Sequence, residues 1–193
     1  YDEAVRRALQ KIEDGQVDTL WTDALASSQR DRPPPTLVEK EGIIMERFER
    51  VVQARSETVY ETFAGLGGRN GWLFATWLWR LRGVIDRLFG GVGFQRRRRN
   101  PHELREGDAL DFWRVEKIEP GHLLRMRAEM KLPGDAWLEF AATPLDATRT
   151  RLTQTAYFAP RGLGGIVYWY GLYPVHAVIF RQLVSRITRR AEV

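Results

Sequence analysis

The chain of 193 residues contains no cysteine, only three histidines and, among its 30 basic residues, only four lysines. Without cysteine, disulfide frameworks, thiolate nucleophiles and cysteine-based metal sites are excluded. With only His102, His122 and His176 available, a zinc site would have to lean on carboxylates, and no metal site is expected. Nucleotide motifs are missing as well. Gly90-Gly91-Val92-Gly93 lacks the Lys-Ser/Thr of a phosphate-binding loop and follows a helical pattern where such a loop follows a strand. Gly162-Leu163-Gly164-Gly165 lacks the full dinucleotide fingerprint and reads as a strand-to-helix turn. Neither a GxSxG elbow nor an HExxH helix occurs.

What remains is an ordinary globular composition, 44% hydrophobic, 11% aromatic and 28% charged, with a formal net charge of +5. The basic excess gathers in Arg80 to Arg105, which includes Arg96-Arg97-Arg98-Arg99, and in the tail Arg181, Arg186, Arg189 and Arg190. It reads as a solvated loop and a cation-rich helix end, with a phosphate-bearing or membrane-surface partner as the alternative. Nucleic acid is not expected as a partner, because the basic residues do not form one patch interleaved with aromatics.

The segment Ala26 to Pro35 is polar, ends in three prolines and has no apolar period, so the domain boundary is placed there. Residues 1–35 then form a separate piece and residues 36–193 one domain. The opening DEAVRRAL has the pattern of a soluble helix and not of a signal peptide, and the chain is expected to begin inside a longer protein. Leu37 to Ala54 carries one or two opening strands. Two helices follow, one from Ser56, expected as its cap, and one over Leu73 to Phe89. A change to a period of two marks a four-strand antiparallel meander over Asp108 to Glu119, Leu124 to Leu132, Ala136 to Thr143 and Arg149 to Phe158. A long helix from about Gly164 to Arg190, bent at Pro174, closes the chain. The fold class is therefore α+β, a curved antiparallel sheet wrapped around a long C-terminal helix, with an apolar space between them for a ligand.

Gly162 to Phe180 is a run of 19 residues without a charged side chain, close to bilayer length. Its tyrosines, His176 and Pro174 favour a buried helix of a soluble domain. The location expected is cytoplasmic. Contact with a membrane surface through Trp72, Trp77 and Trp79 beside Arg80 and Arg82 is the alternative.

Candidate acid–base carboxylates are Asp111, Glu116, Glu129 and Glu139, for which a solvated or ion-paired strand face is the simpler account. His176 is the one histidine in an apolar setting. Trp169, Tyr173 and His176, at spacings of four and three, share one face of the closing helix. With Trp113, Trp137 and Tyr157 from the strands they form the candidate ligand-binding set, suited to a hydrophobic or aromatic small molecule. No catalytic residue is named. An enzyme using His176, Glu129 or Glu139, and an interaction domain with an exposed apolar patch, remain the rival readings.

Five ordered stretches resemble the DUF2867 family of START-like, or SRPBCC helix-grip, domains. They are Gly68-Arg69-Asn70-Gly71-Trp72; Arg105-Glu106-Gly107-Asp108 through Phe112-Trp113-Arg114-Val115; Pro133-Gly134-Asp135-Ala136-Trp137-Leu138-Glu139-Phe140; Leu152-Thr153-Gln154-Thr155-Ala156-Tyr157-Phe158; and Tyr168-Trp169-Tyr170 with Pro174 and His176. The resemblance runs from about Thr36 to Arg190 and implies the helix-grip fold. It also implies an upstream NAD(P)-binding Rossmann domain of the atypical short-chain dehydrogenase or NmrA/epimerase type, and Tyr1 to Ala24 is similar to the closing segment of such a domain. On that footing NAD(P) belongs to the upstream domain and no cofactor to this fragment. The family carries no established catalytic residues.

Overall fold

The computed structural model describes residues 36–40 as backbone and, in full, residues 42–67, 71–74, 77, 83, 84, 88 and 104–193. Seven strands form one antiparallel sheet: β1 (Thr36–Lys40), β2 (Ile43–Val52), β3 (Ala109–Leu110), β4 (Trp113–Glu119), β5 (Leu123–Ala128), β6 (Gly134–Pro144) and β7 (Thr150–Pro160). Their spatial order is β1-β2-β7-β6-β5-β4-β3, so the chain crosses from β2, next to the β1 edge, to β3 at the opposite edge and returns as a meander. Helix α1 (Ser56–Ala64) follows β2, and α2 (Gly162–Ala191) closes the chain. This is the α+β arrangement expected, a sheet gripping a C-terminal helix. Of the expected helix 73–89, Trp77, Gly83, Val84 and Leu88 are described, and all four are helical. The proposed linker, the N-terminal segment and Arg96 to Arg99 lie outside the described residues.

Local chemistry moves several boundaries. Ser56 is the first helical residue and not the cap; Arg55 holds the cap position without a side-chain hydrogen bond. The strand expected over Asp108 to Glu119 is broken after Leu110 by Asp111, whose φ of 57° cannot continue a strand. A second irregularity between Val115 and Lys117 leaves Glu116 unpaired with β5, as one extra residue in a strand does. The strand expected over Leu124 to Leu132 ends early, at Ala128, and Gly134, which lies before the strand expected from Ala136, opens β6. The helix–sheet junction is tight: Arg161 N–H donates to the Pro133 carbonyl at 2.9 Å. A Cβ on Gly165 would stand 2.4 Å from that same oxygen.

The period of two sorts the strands onto two faces. Leu124 and Met126 of β5, Leu138 and Phe140 of β6, and Leu152, Ala156 and Phe158 of β7 join Phe180, Leu183, Val184 and Ile187 of α2 in the main core. The other face carries Arg125, Glu139, Trp137 and Tyr157, of which Trp137 and Tyr157 pack with Ile43, Met45 and Ala159 in a second, smaller cluster. Of the solvated or ion-paired face expected there, the ion-paired form is the one present, and it is buried. Arg125 is only 6% exposed and Glu139 only 9%. Arg125 Nε donates to Glu139 Oε2 at 2.8 Å, and the Tyr157 hydroxyl donates to Glu139 Oε1 at 3.3 Å. Burial, and then the Glu139 charge, push the Tyr157 hydroxyl above the usual phenol range.

Breaking a buried ion pair strands one charge, whereas replacing both partners does not. Glu139→Ala is therefore expected to cost about 3–5 kcal/mol in urea melts, and Arg125→Met with Glu139→Leu to recover most of that loss. A double variant no more stable than the single one would show that the pair holds the sheet by more than mutual compensation.

Candidate functional site

Strand β2 contributes an unexpected group. Its residues Ile44, Phe48 and Val52 belong to the main core, so Glu46, at the same parity, points the same way. Glu46 is 0% exposed, and neither carboxyl oxygen has a hydrogen-bond partner among the described residues. On β7, Gln154 shares its face with Leu152, Ala156 and Phe158; it too is 0% exposed, with both amide heavy atoms unpartnered. An unsatisfied buried polar group costs about 1–3 kcal/mol, so two on one face mark a place where stability has been given up. Burial pushes the Glu46 carboxyl up from 4.5 to about 7, partly offset by the Arg181 guanidinium from α2.

Helix α2 supplies the facing wall. Trp169 stacks on Phe158 with ring centroids 5.2 Å apart. His176 stands 5.8 Å from Trp169 and stacks on Phe180 at 5.6 Å. The four rings make a continuous aromatic row. Tyr173 lies between them in sequence, its hydroxyl raised above the usual range by burial and by the Glu46 charge. Packing along this helix face is uneven. Ile179, Phe180, Leu183, Val184 and Ile187 are buried, while Leu172, Tyr173, His176 and Ala177 are only half-buried. Beside them the Trp169 indole nitrogen is buried without a hydrogen-bond partner among the described residues.

Trp169, Tyr173 and His176 are thus brought together on one side of the helix–sheet interface. Trp137 and Tyr157 are on the opposite face of the sheet and do not join them, because the pleat at β6 and β7 sends odd-numbered side chains away from α2. Trp113 is buried in the main core, but its ring neighbours are Trp72 and Phe112 at the β3–β4 end. Three of the four carboxylates named from sequence have other employment: Asp111 accepts the Trp72 indole N–H at 2.8 Å, Glu129 pairs with Arg114 at 2.8 Å, and Glu139 holds Arg125. Glu46 and Gln154 were missed. On β2 each face mixes charged with apolar side chains, so alternation could not orient it. The available signal was a carboxylate flanked two residues away on each side by Ile44 and Phe48.

Chemically, a carboxyl that titrates near neutrality donates a hydrogen bond to an oxygen in its acid form and accepts one in its ionised form. No group of three or more His, Asp or Glu side chains placed to hold a metal occurs among the described residues.

The family model described as "Protein of unknown function (DUF2867)" matches residues 45–183. The chain belongs to the DUF2867 family. The matched span of the DUF2867 domain runs from β2 to the middle of α2, so it includes Glu46, Gln154, Trp169, Tyr173 and His176. No curated protein matches the chain at a significant level. Among solved structures it is similar to a Chromobacterium violaceum protein from structural genomics, at 19% identity and TM-score 0.48, covering 80% of this chain and 99% of that one. It is also similar to the Zhui aromatase/cyclase from Streptomyces sp. R1128, at 19% identity and TM-score 0.45, covering 78% and 94%. A third is truncated norcoclaurine synthase from Thalictrum flavum, at 9% identity and TM-score 0.47, covering 79% and 96%.

The raised carboxyl sets a sign. Folded Glu46 keeps its proton to about 7 while the unfolded chain releases it near 4.5, so stability is full below 4.5, falls as pH rises through this window and is flat above it. Asp146, held near 2 first by the Thr148 backbone N–H and then by Arg149, acts in a lower window and does not overlap. Thermal melts between about pH 4 and pH 8 should show the fall in wild type, and Glu46→Gln should flatten it, raising the Tm at the alkaline end by several degrees. Equal slopes in both proteins would place the titrating group elsewhere.

Proposed function

We propose that the domain binds a hydrophobic or aromatic small molecule between the sheet and the middle of α2. One observation carries the reading. The helix face that is tightly packed from Ile179 onward is loosely covered at Leu172, Tyr173, His176 and Ala177, opposite a sheet face that holds two unsatisfied polar side chains. A site with an aromatic lining and a few polar groups is what a small, flat ligand requires. The finer reading sets this module in a larger NAD(P)-dependent oxidoreductase- or epimerase-like protein, with NAD(P) held by an upstream Rossmann domain. It is supported by the likeness of Tyr1 to Ala24 to the end of such a domain.

The test is a titration of the chain with naphthalene-based probes, followed by tryptophan fluorescence and native mass spectrometry. A 1:1 complex is expected, and Ala177→Trp, which fills the half-buried stretch, should abolish it while the circular dichroism spectrum is retained. Binding undiminished in Ala177→Trp would place the ligand elsewhere.

A second reading is favoured by the outward side of α2. The helix is long and apolar enough to cross a membrane by length and composition, yet little of its apolar stretch is buried. The expectation of a buried helix therefore holds for only one side: Leu163 is 80% exposed, Val167 72% and Val178 57%, with Tyr170 and Val175 between them. An exposed apolar stripe between Arg161 and Arg181 suits attachment to an anionic membrane surface. Co-sedimentation with phosphatidylserine vesicles should then be lost in Leu163→Glu with Val167→Glu, and equal sedimentation of that variant would end this reading.

A further inference from the structure

The two unsatisfied side chains specify more than a greasy pocket. In the β2–β7 register Glu46 stands opposite Ala156 and Phe48 opposite Gln154, so Glu46 and Gln154 are diagonal neighbours on the same face. Such neighbours are about 7–8 Å apart, within joint reach of one small group for two long side chains. They make no hydrogen bond to each other or to any other described residue: both Glu46 oxygens, Gln154 Oε1 and Gln154 Nε2 are buried and unpartnered there. Beside them lies the row Phe158, Trp169, His176 and Phe180. The geometry points to a ligand with a flat apolar body and a neutral edge that carries a hydrogen-bond donor beside an acceptor, of the amide or lactam class, held by Glu46 and Gln154. This rests on the binding reading above and names the ligand chemistry for the same site.

Other chemistries match the site less well. A hydrocarbon leaves all four polar atoms unsatisfied in a buried setting. An anion meets the Glu46 carboxyl. A cation would compensate Glu46 only when that group is ionised, and Arg181, the charged group from α2 that acts on Glu46, already opposes it. Tyr173, the other α2 group that senses Glu46, adds no counter-charge. An amide edge, by contrast, presents both a donor and an acceptor, and a primary amide side chain and a carboxylic acid each offer both in return. With the Glu46 proton held to about 7, the acid form is available near neutrality.

The experiment compares naphthalene, 2-naphthamide, 2-naphthoate and 2-naphthylmethylamine as probes on the full chain near neutral pH. The expected order places 2-naphthamide about ten- to a hundredfold tighter than naphthalene, as two net hydrogen bonds imply. In Glu46→Leu with Gln154→Leu that preference should disappear while naphthalene still binds. The same variant should melt at a higher temperature than wild type, since it removes unsatisfied polar groups and leaves apolar ones of similar size. If it does not fold, Gln154→Leu alone provides the comparison, with a reduced preference expected. Equal affinity for the amide and the hydrocarbon, tightest binding of the amine or the acid, or a preference that survives the substitutions would each overturn the inference and leave the binding reading standing. Failure of all four probes to bind would overturn both.

Discussion

The pairing of β6 with β7 is the constraint on which the rest depends. It runs without interruption through eleven residue pairs, from Gly134 with Pro160 to Pro144 with Thr150. Because side chains alternate, this register assigns every residue of the two strands to one of two faces, and a slip of one residue would exchange them all. Through β7 it also orients β2, which pairs with β7 over nine positions. Glu46, Gln154 and Phe158 therefore face α2 for the same reason that Glu139, Tyr157 and Trp137 do not.

The two faces treat their buried carboxylates in opposite ways. On the face away from α2, Glu139 is satisfied twice, by the Arg125 guanidinium and by the Tyr157 hydroxyl. Compensation of that completeness is how a protein keeps a charge inside. On the face toward α2, Glu46 and Gln154 are at least as buried, and their polar atoms have no hydrogen-bond partner among the described residues. The contrast within one sheet makes a structural role for the inner pair a poor account, since the fold shows on its other side what a structural polar cluster requires. Sites that break local rules without local compensation are where function is to be sought.

Helix α2 divides in the same sense. From Ile179 to Ala191 its inner face is anchored: Phe180, Leu183, Val184 and Ile187 enter the core, and Arg50 of β2 donates to the Ser185 hydroxyl at 2.9 Å. At its start it is fixed by the close approach of Gly165 to Pro133. Between these ends, around Pro174, the inner face is loosely covered and the outer face is apolar and exposed. A segment held at both ends and underpacked in the middle can bound a ligand site without endangering the fold.

Much of the architecture was legible in the sequence because it is written in local chemistry. The strict alternation Leu124 to Met130, the turn residues between strands and the long helical run are short-range signals, and they led to the meander, the closing helix and the α+β class. The clustering of Trp169, Tyr173 and His176 followed from helical spacing alone. The partners of that cluster did not. Which face of β2 turns inward depends on its pairing with β7, more than a hundred residues away in sequence, and the mixed residues of β2 do not declare it. For the same reason Trp137 and Tyr157, credible wall residues by composition, are on the far side of the sheet, and Glu139, expected on a solvated or ion-paired face, is ion-paired and buried. The sequence by itself determined the elements and their apolar faces, because these depend on neighbours a few residues apart. Only the tertiary structure decided that Glu46 and Gln154 share the interior with the aromatic row, because register and burial are set by contacts between distant strands.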